Sequence, residues 1–449
     1  MRIAIIGAGI VGVTTAYEFA ADGHEVTVFE RRGSVAAETS FANAGVVAPG
    51  YVTPWAAPGM PAKVLGHLLA AHAPVRVSPW LDAATLVWMW KWWRACSPQR
   101  YQANRRRMQR LALFSRERLH RLTRDLRLAY ERSDGYLVLL RSDKDLAAAR
   151  PGLELLAELG VRFDLLDAQG CRRVEPGLNA DTPLHAGIYL ADAEVGNCRQ
   201  FALLLRTQAQ KLGVRFRFHT TVQALNPGRA PQLRHRYLPP EESTLMTEAN
   251  DPAPDGWPPT QPLPVEAVTE AFDAVVVCAA LGATALLRPH GLRLPLAAVH
   301  GYSITAPLRH HAEHPDVGPR SALMDERYKV AVSRLGDRLR VAGSAELGGS
   351  LRQHHPGAIA TLYKVLDDWF PGAARLSQVQ QWKGARPMLP DGPPVLGASG
   401  VEGVWLNLGH GSSGWALACG SARVLADAVV GRAPAIDVEG FDVGRLRSQ

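Results

Sequence analysis

The stretch RIAIIGAGIVGVTTAYEFAADGHEVTVFE, residues 2–30, decides the fold. The apolar run after Arg2 predicts a buried strand. A glycine turn follows, then apolar residues at helical spacing, then a second strand ending at Glu30. Gly7, Gly9 and Gly12 complete a G-x-G-x-x-G pattern. In such a unit the first glycine permits the tight turn, the second lets a pyrophosphate approach the backbone, and the third lets the helix pack on its strand. The helix N-terminus then offers free amides to phosphate. Glu30 stands where an acid accepts hydrogen bonds from ribose hydroxyls, so the segment predicts dinucleotide binding. Arg31 and Arg32 would suit a 2′-phosphate, but the neighbouring Glu30 carboxylate repels one. FAD or NAD is therefore favoured over NADP, with Arg31 counted among the cofactor contacts.

Three segments further along extend this reading. ETSFANAGVVAPGYVTPWAAPG, residues 38–59, is too irregular for the next helix of a simple nicotinamide domain. FDAVVVCAALGA, residues 272–283, is a second strand-to-glycine turn and contains Gly282. VWLNLGHGSSGWALACGSARVLADAVV, residues 404–430, repeats strand, glycine loop and helix, bringing the amides of Gly409, Gly411, Ser412, Ser413 and Gly414 close to something flat or anionic. Pieces so distributed suit a long cofactor. Between them, KGARPMLPDGPPVLG, residues 383–397, holds Arg386 in a stiff proline-rich setting. A guanidinium presents a planar fork that can grip a carboxylate by two parallel bonds; the structural alternative is a pair with Asp391 in the same loop.

At 449 residues, 47% hydrophobic and 20% charged, the chain has a globular composition long enough for two domains. No segment reads as a membrane span or signal sequence, which predicts a cytoplasmic protein. Five scattered cysteines show no ligand spacing, so reduced thiols and no metal are expected. The net charge of +8 owes much to one arginine-rich segment, 105–127, which reads as an amphipathic helix with a solvated basic face. The basic residues lack the interleaved aromatics of a nucleic-acid surface.

Taken in order, GAGIVG, TSFANAG, PGYVTPWAAPG, GYSIT, ERYKVAVSR, GARPMLPDGPPVLG and NLGHGSSGWALACGS resemble the D-amino acid dehydrogenase family, within the flavoprotein superfamily of D-amino acid, glycine and sarcosine oxidases. The resemblance runs along nearly the whole chain. It implies an α/β and α+β architecture: a glutathione-reductase-like Rossmann domain holding noncovalent FAD, and a substrate domain whose large antiparallel or mixed sheet roofs the flavin. It implies oxidative deamination of D-amino acids to 2-oxo acids and ammonia, electrons leaving to a quinone or other respiratory acceptor.

Carried over by motif, Gly7, Gly9, Gly12 and Glu30 would hold the ADP half of FAD. Ser40, Asn43, Ala44 and Gly45 would line the stretch from phosphate to flavin, and Val222 would offer backbone bonds to adenine. Gly411, Ser412, Ser413 and Gly414 would approach the flavin pyrimidine, and Arg386 would bind the substrate carboxylate. Tyr328, in ERYKVAVSR, is the candidate second pocket contact. Tyr51, Trp55 and His410 are candidates for the substrate pocket. No cysteine stands near Arg386 and no histidine occurs within 31–59, so the flavin is expected to dissociate.

The FAD domain is expected over 1–55, 196–294 and 384–449 and the substrate domain over 56–195 and 295–383, with a Pro-rich surface insertion at 226–264. In TLVWMWKWWRACS, residues 85–97, Trp88, Trp90, Trp92 and Trp93 spread around a helix with Lys91 and Arg94. Such a helix suits either a substrate-domain core or a peripheral contact with the inner face of the cell membrane. Three other functions remain open at this point: oxidation of N-substituted or cyclic amino acids, a flavin-carrying assembly subunit, and a nicotinamide dehydrogenase.

Overall fold

The computed structural model describes residues 1–67, 72–79, 81–238, 266–309 and 317–446. The opening stretch folds as its pattern demands: strand Arg2–Ile6, helix Ile10–Ala21, strand Glu25–Phe29. Ile3, Ala4, Ile5 and Val28 are fully buried, as strands covered on both faces must be. Six strands form one sheet in the order Val395–Ala398, Val404–Leu408, Ala274–Val277, Arg2–Ile6, Glu25–Phe29, Arg215–Arg217. All neighbours are parallel except the first pair. On one side the helices Ile10–Ala21, Cys198–Lys211 and Gly414–Val429 close a core around Val13, Phe201 and Leu417. On the other side lies a three-stranded sheet of Thr220–Asn226, Gln232–Tyr237 and Val268–Ala271.

The second unit is a mixed sheet. Its order is Gln380–Met388, Ala297–Pro307, Arg338–Leu347, Val330–Leu335, Ala322–Asp325, Ser133–Leu140, Ala186–Val195, Val46–Val47, with Val75–Val77 and Asp164–Asp167 attached at its margins. Because side chains alternate along a strand, its two faces have separate tasks. Tyr302, Ile304 and Ala306 point to a core capped by the helix Pro356–Trp369. Ser303 points the other way and donates to the Ala42 carbonyl at 2.8 Å, and Ser333 donates to the Ala44 carbonyl at 2.8 Å. That second face looks onto the first unit.

Three sequence expectations are revised here. The arginine-rich helix, Pro98–Asp125, does not stay with the substrate half: Met108, Leu111, Leu119 and Leu122 join the core of the first unit. Nor is its basic face simply solvated, since Arg118 holds Glu18 at 2.6 Å and Arg110 holds Asp437 at 2.6 Å. Within the expected insertion, Gln232–Tyr237 is an ordered strand with His235 buried, while residues 239–265 lie outside the described residues. The tryptophan segment forms the helix Ala83–Ala95.

Candidate active site

The glycine turn is shaped by necessity. Gly7 adopts φ +101°, and a Cβ on Gly12 would collide with the Gly7 carbonyl. At Gly9 an added Cβ would meet only the Ser40 hydroxyl, at 3.7 Å, so the outer side of the turn is open. Gly9 caps the helix without a side chain, leaving first-turn amides to face an anion. Glu30 accepts from the Ala8 amide at 2.7 Å and the Arg32 amide at 2.8 Å. Burial raises its pKa, the two amides working against that rise. Each carboxylate oxygen keeps a second lone pair for a sugar hydroxyl. These groups fit an adenosine diphosphate moiety. Arg31 does not join them: it pairs with Glu38 at 2.6 Å, as Arg32 does at 2.9 Å.

Val222 sits on the edge strand Thr220–Asn226, where every other backbone amide and carbonyl points away from the ladder. The Thr220 amide donates to the Glu30 carbonyl at 2.8 Å, setting that edge beside Glu30. Gly282 ends a short turn, Ala280–Gly282, directly after the Ala274–Val277 strand.

The segment after Ser40 is stitched between the two units. Ser40 Oγ accepts from the Ile10 amide at 3.1 Å, and Asn43 Oδ1 accepts from the Gly45 amide at 3.0 Å. Arg340, buried and without an acid partner among the described residues, donates to the Asn43 carbonyl at 3.0 Å. The Gly45 carbonyl receives both the Gly196 amide at 2.9 Å and Trp415 Nε1 at 3.1 Å. Thr39 then reaches the Ala385 carbonyl at 2.6 Å, tying this segment to the strand that carries Arg386.

Arg386 lies flat over Gly301 of the adjacent strand; a Cβ there would coincide with the guanidinium. Its Nη1 donates to the Ser344 carbonyl at 3.0 Å and the His300 carbonyl at 3.3 Å. Among the described residues no carboxylate pairs with it, and Nε and Nη2 have no partner there. Asp391 bonds Arg445 at 2.9 Å instead. Burial pulls the Arg386 pKa down to about 10. A fixed cation with one two-donor edge unused is a receptor for a carboxylate.

Trp55 stands over this guanidinium, its ring centre 5.9 Å from Cζ, and donates Nε1 to Ser412 Oγ at 3.1 Å. Arg386, Trp55 and the turn Gly411–Ser413 ahead of helix Gly414–Val429 therefore meet at one place. Gly411 is held there with φ +56°, a Cβ on it reaching Met388 Sδ at 2.5 Å.

The remaining candidates lie elsewhere. Tyr328 is in the turn between Ala322–Asp325 and Val330–Leu335, against Arg141 (5.1 Å) and Lys364 (5.6 Å), and packs on the Trp369 core behind the sheet. His410 is buried, shares a 3.0 Å hydrogen bond with Ser421 and is depressed by burial to about 3. It faces the protein interior. Tyr51 is on the correct face, but its hydroxyl donates to Glu326 at 2.6 Å and its ring packs edge-on to Tyr136.

Gly301 and Ser344 were missed. A glycine within an apolar strand signals close approach, and GYSIT carried that sign. Ser344 has φ +57° at a break in strand register and aims its carbonyl at Arg386. Strain of this kind persists where surrounding structure enforces it.

A family profile described as FAD dependent oxidoreductase matches residues 2–428. The chain belongs to that family. A D-amino acid dehydrogenase of Cereibacter sphaeroides is 44% identical over 446 residues, 99% of this chain and 94% of that one. Another from Rhizorhabdus wittichii is 41% identical over 447 residues, covering 99% and 100%. Among solved structures, glycine oxidase from Geobacillus kaustophilus superposes with TM-score 0.72 at 18% identity, covering 98% of each chain. L-proline dehydrogenase from P. horikoshii gives 0.68 at 15%, covering 100% and 98%. The structural likenesses establish the fold, and this flavoprotein family accounts for the open turn beside Gly9. Among the described residues no cluster could hold a metal, all five cysteines are free, and no helix is long and apolar enough to cross a membrane.

Proposed function

We propose that this FAD-dependent oxidoreductase oxidises D-amino acids to 2-oxo acids and ammonia, with FAD held noncovalently. The observation that carries the reading is Arg386 with its Nε–Nη2 edge unused, set beside the 39–45 segment and the 411–414 turn. Relatives named D-amino acid dehydrogenase, similar over their whole length, support the substrate class. When bound, the flavin supplies the two-electron acceptor for the hydrogen on the substrate Cα. The protein's part is to position. Arg386 clamps the carboxylate and thereby sets the direction of the neighbouring C–H bond, Trp55 shields the clamp from water, and Ser412 holds Trp55. Neither His300 nor His410 is placed as a base: burial depresses them to about 4 and about 3. The substrate amine must therefore shed its proton in solution, and kcat/KM should climb with pH as it does so.

The purified, yellow protein should lose its visible flavin absorbance on anaerobic addition of D-alanine. Bleaching by sarcosine or hydroxyproline but not by D-alanine would move the chain to the N-substituted or cyclic substrates that Arg386 could equally clamp. Denaturation followed by filtration should release the flavin; colour retained on the polypeptide would refute noncovalent attachment. The cofactor half would comprise 1–55, 196–294 and 384–449 plus the Pro98–Asp125 helix, and the substrate half the rest, with Val46–Val47 and the end of the strand Gln380–Met388 crossing over to pair in the substrate half's sheet.

For the acceptor we favour a quinone reached from the inner face of a membrane. In the helix Ala83–Ala95, Trp88 is buried and donates to the Met388 carbonyl at 3.0 Å, and Trp92 packs beside it. Leu86, Val87, Trp90 and Trp93 are 53, 52, 49 and 61% exposed, and Arg94 lies over the Trp90 ring. An apolar face edged with cations suits an anionic lipid interface. Failure to float with anionic liposomes would end this proposal.

A further inference from the structure

The floor beside Arg386 is bare for two residues' width. Gly301 and Gly384 are directly paired on adjacent antiparallel strands. Arg386 lies across the first. The six-membered ring of Trp382 lies across the second, where a Cβ would fall inside the ring. Directly paired positions stand about 5 Å apart. Guanidinium and indole therefore lie side by side as one flat surface, on the face that carries Ser303 and looks toward the 39–45 segment. Trp382 is half-buried, yet among the described residues it packs into none of the five apolar cores. A large ring held flat and left out of every core is available to a ligand.

Resting on the reading of Arg386 as the carboxylate clamp, we propose that Trp382 is the platform for the substrate side chain, selecting bulky apolar and aromatic D-amino acids. Only one bond separates a carboxylate carbon from Cα, so the side chain of a clamped substrate lies within one residue's width of the guanidinium. Gly384 is needed because any side chain there would lift the indole. Acidic side chains gain little from the apolar face of the indole, whose one donor, Nε1, lies at the edge of the ring.

The holoenzyme provides the test. In Trp382→Leu, kcat/KM for D-phenylalanine relative to D-alanine should fall by about tenfold or more, the range of apolar pocket discrimination. D-Alanine turnover and flavin content should stay within about twofold, well inside that range. An unchanged ratio, or equal losses for both substrates at full flavin content, would overturn the proposal. Should the variant not fold, the unaltered enzyme decides: benzoate should compete with D-alanine about tenfold more tightly than acetate, and perturb the flavin spectrum as it binds. Equal inhibition by the two acids would overturn the platform. If the unaltered enzyme bleaches with no D-amino acid while benzoate still outbinds acetate, the activity assignment is wrong and the platform stands.

Discussion

Arg141 and Arg386 flank the same mixed sheet on opposite faces, and both are largely buried. Arg141 is enclosed by opposite charge: Asp325 accepts from Nε at 2.8 Å and Nη2 at 2.6 Å, Asp368 accepts at 2.7 Å, and the Trp369 ring lies 4.8 Å from Cζ. Burial works against its charge, but the two carboxylates outweigh burial and raise its pKa. Arg386 has backbone carbonyls in place of acids, and burial prevails. A cation neutralised within the fold belongs to stability; one whose donors are left over belongs to a ligand. The difference lies in the partners, since the residue type is the same.

Breaking each arginine should separate the two roles. Arg386→Met removes the clamp, and kcat/KM for D-alanine should drop by about a thousandfold, the range for truncating one partner of a buried charged pair. Flavin content should be retained. Steady-state kinetics with a dye acceptor would measure this, and a loss smaller than about tenfold would remove Arg386 from the site. Arg141→Ala strands Asp325 as an uncompensated buried charge, so unfolding by urea should lose about 3–5 kcal/mol. The KM of whatever protein stays folded should not move.

The same distinction explains what could be read in advance. Gly7, Gly12 and Glu30 are legible because their reasons are local: a turn, a close helix and a strand end lie within thirty residues. Arg386 is legible through the GARPMLPDGPPVLG motif, although the arginine lies on the strand Gln380–Met388 and not in the loop after it. Trp382 was not, because its place beside the guanidinium depends on the pairing of Gly384 with Gly301 of another strand. The face on which Tyr328 falls depends on a hairpin turn and on register, neither of which periodicity displays. For the Pro98–Asp125 helix the apolar stripe showed that one side is buried but not against which unit. QLRHRY alternates as a strand should, yet the prolines that follow it concealed the signal.

Buried neutral bases sharpen the comparison further. His410 is kept uncharged, its pKa lowered by burial to about 3, so the folded state binds fewer protons than the unfolded chain below the ordinary histidine range. Its contribution to stability is whole above about pH 6.5 and is lost progressively as the pH falls toward about 3, at about 1.4 kcal/mol per pH unit. Unfolding free energy measured at pH 7 and pH 5 should therefore fall by less in His410→Gln than in the unaltered protein. Equal losses would mean that this imidazole is not the acid-sensitive group.

The smallest expected effect discriminates most finely. Tyr328 packs on Arg141 behind the sheet, its backbone amide donating to Asp325 at 3.2 Å and its ring lying against three cations, Arg141, Arg327 and Lys364. Its phenolic oxygen makes no hydrogen bond with the described residues. In Tyr328→Phe the ring and its contacts remain and only that oxygen is lost. If the oxygen touched substrate, KM for D-alanine would rise roughly tenfold, as for a lost hydrogen bond to a charged group. Placed as it is, the change should stay within about twofold while Arg386→Met loses nearly everything. A large KM effect from this one atom would mean that the turn carrying Tyr328 swings across to the flavin-facing side, and the division of the sheet into a structural and a chemical face would fail with it.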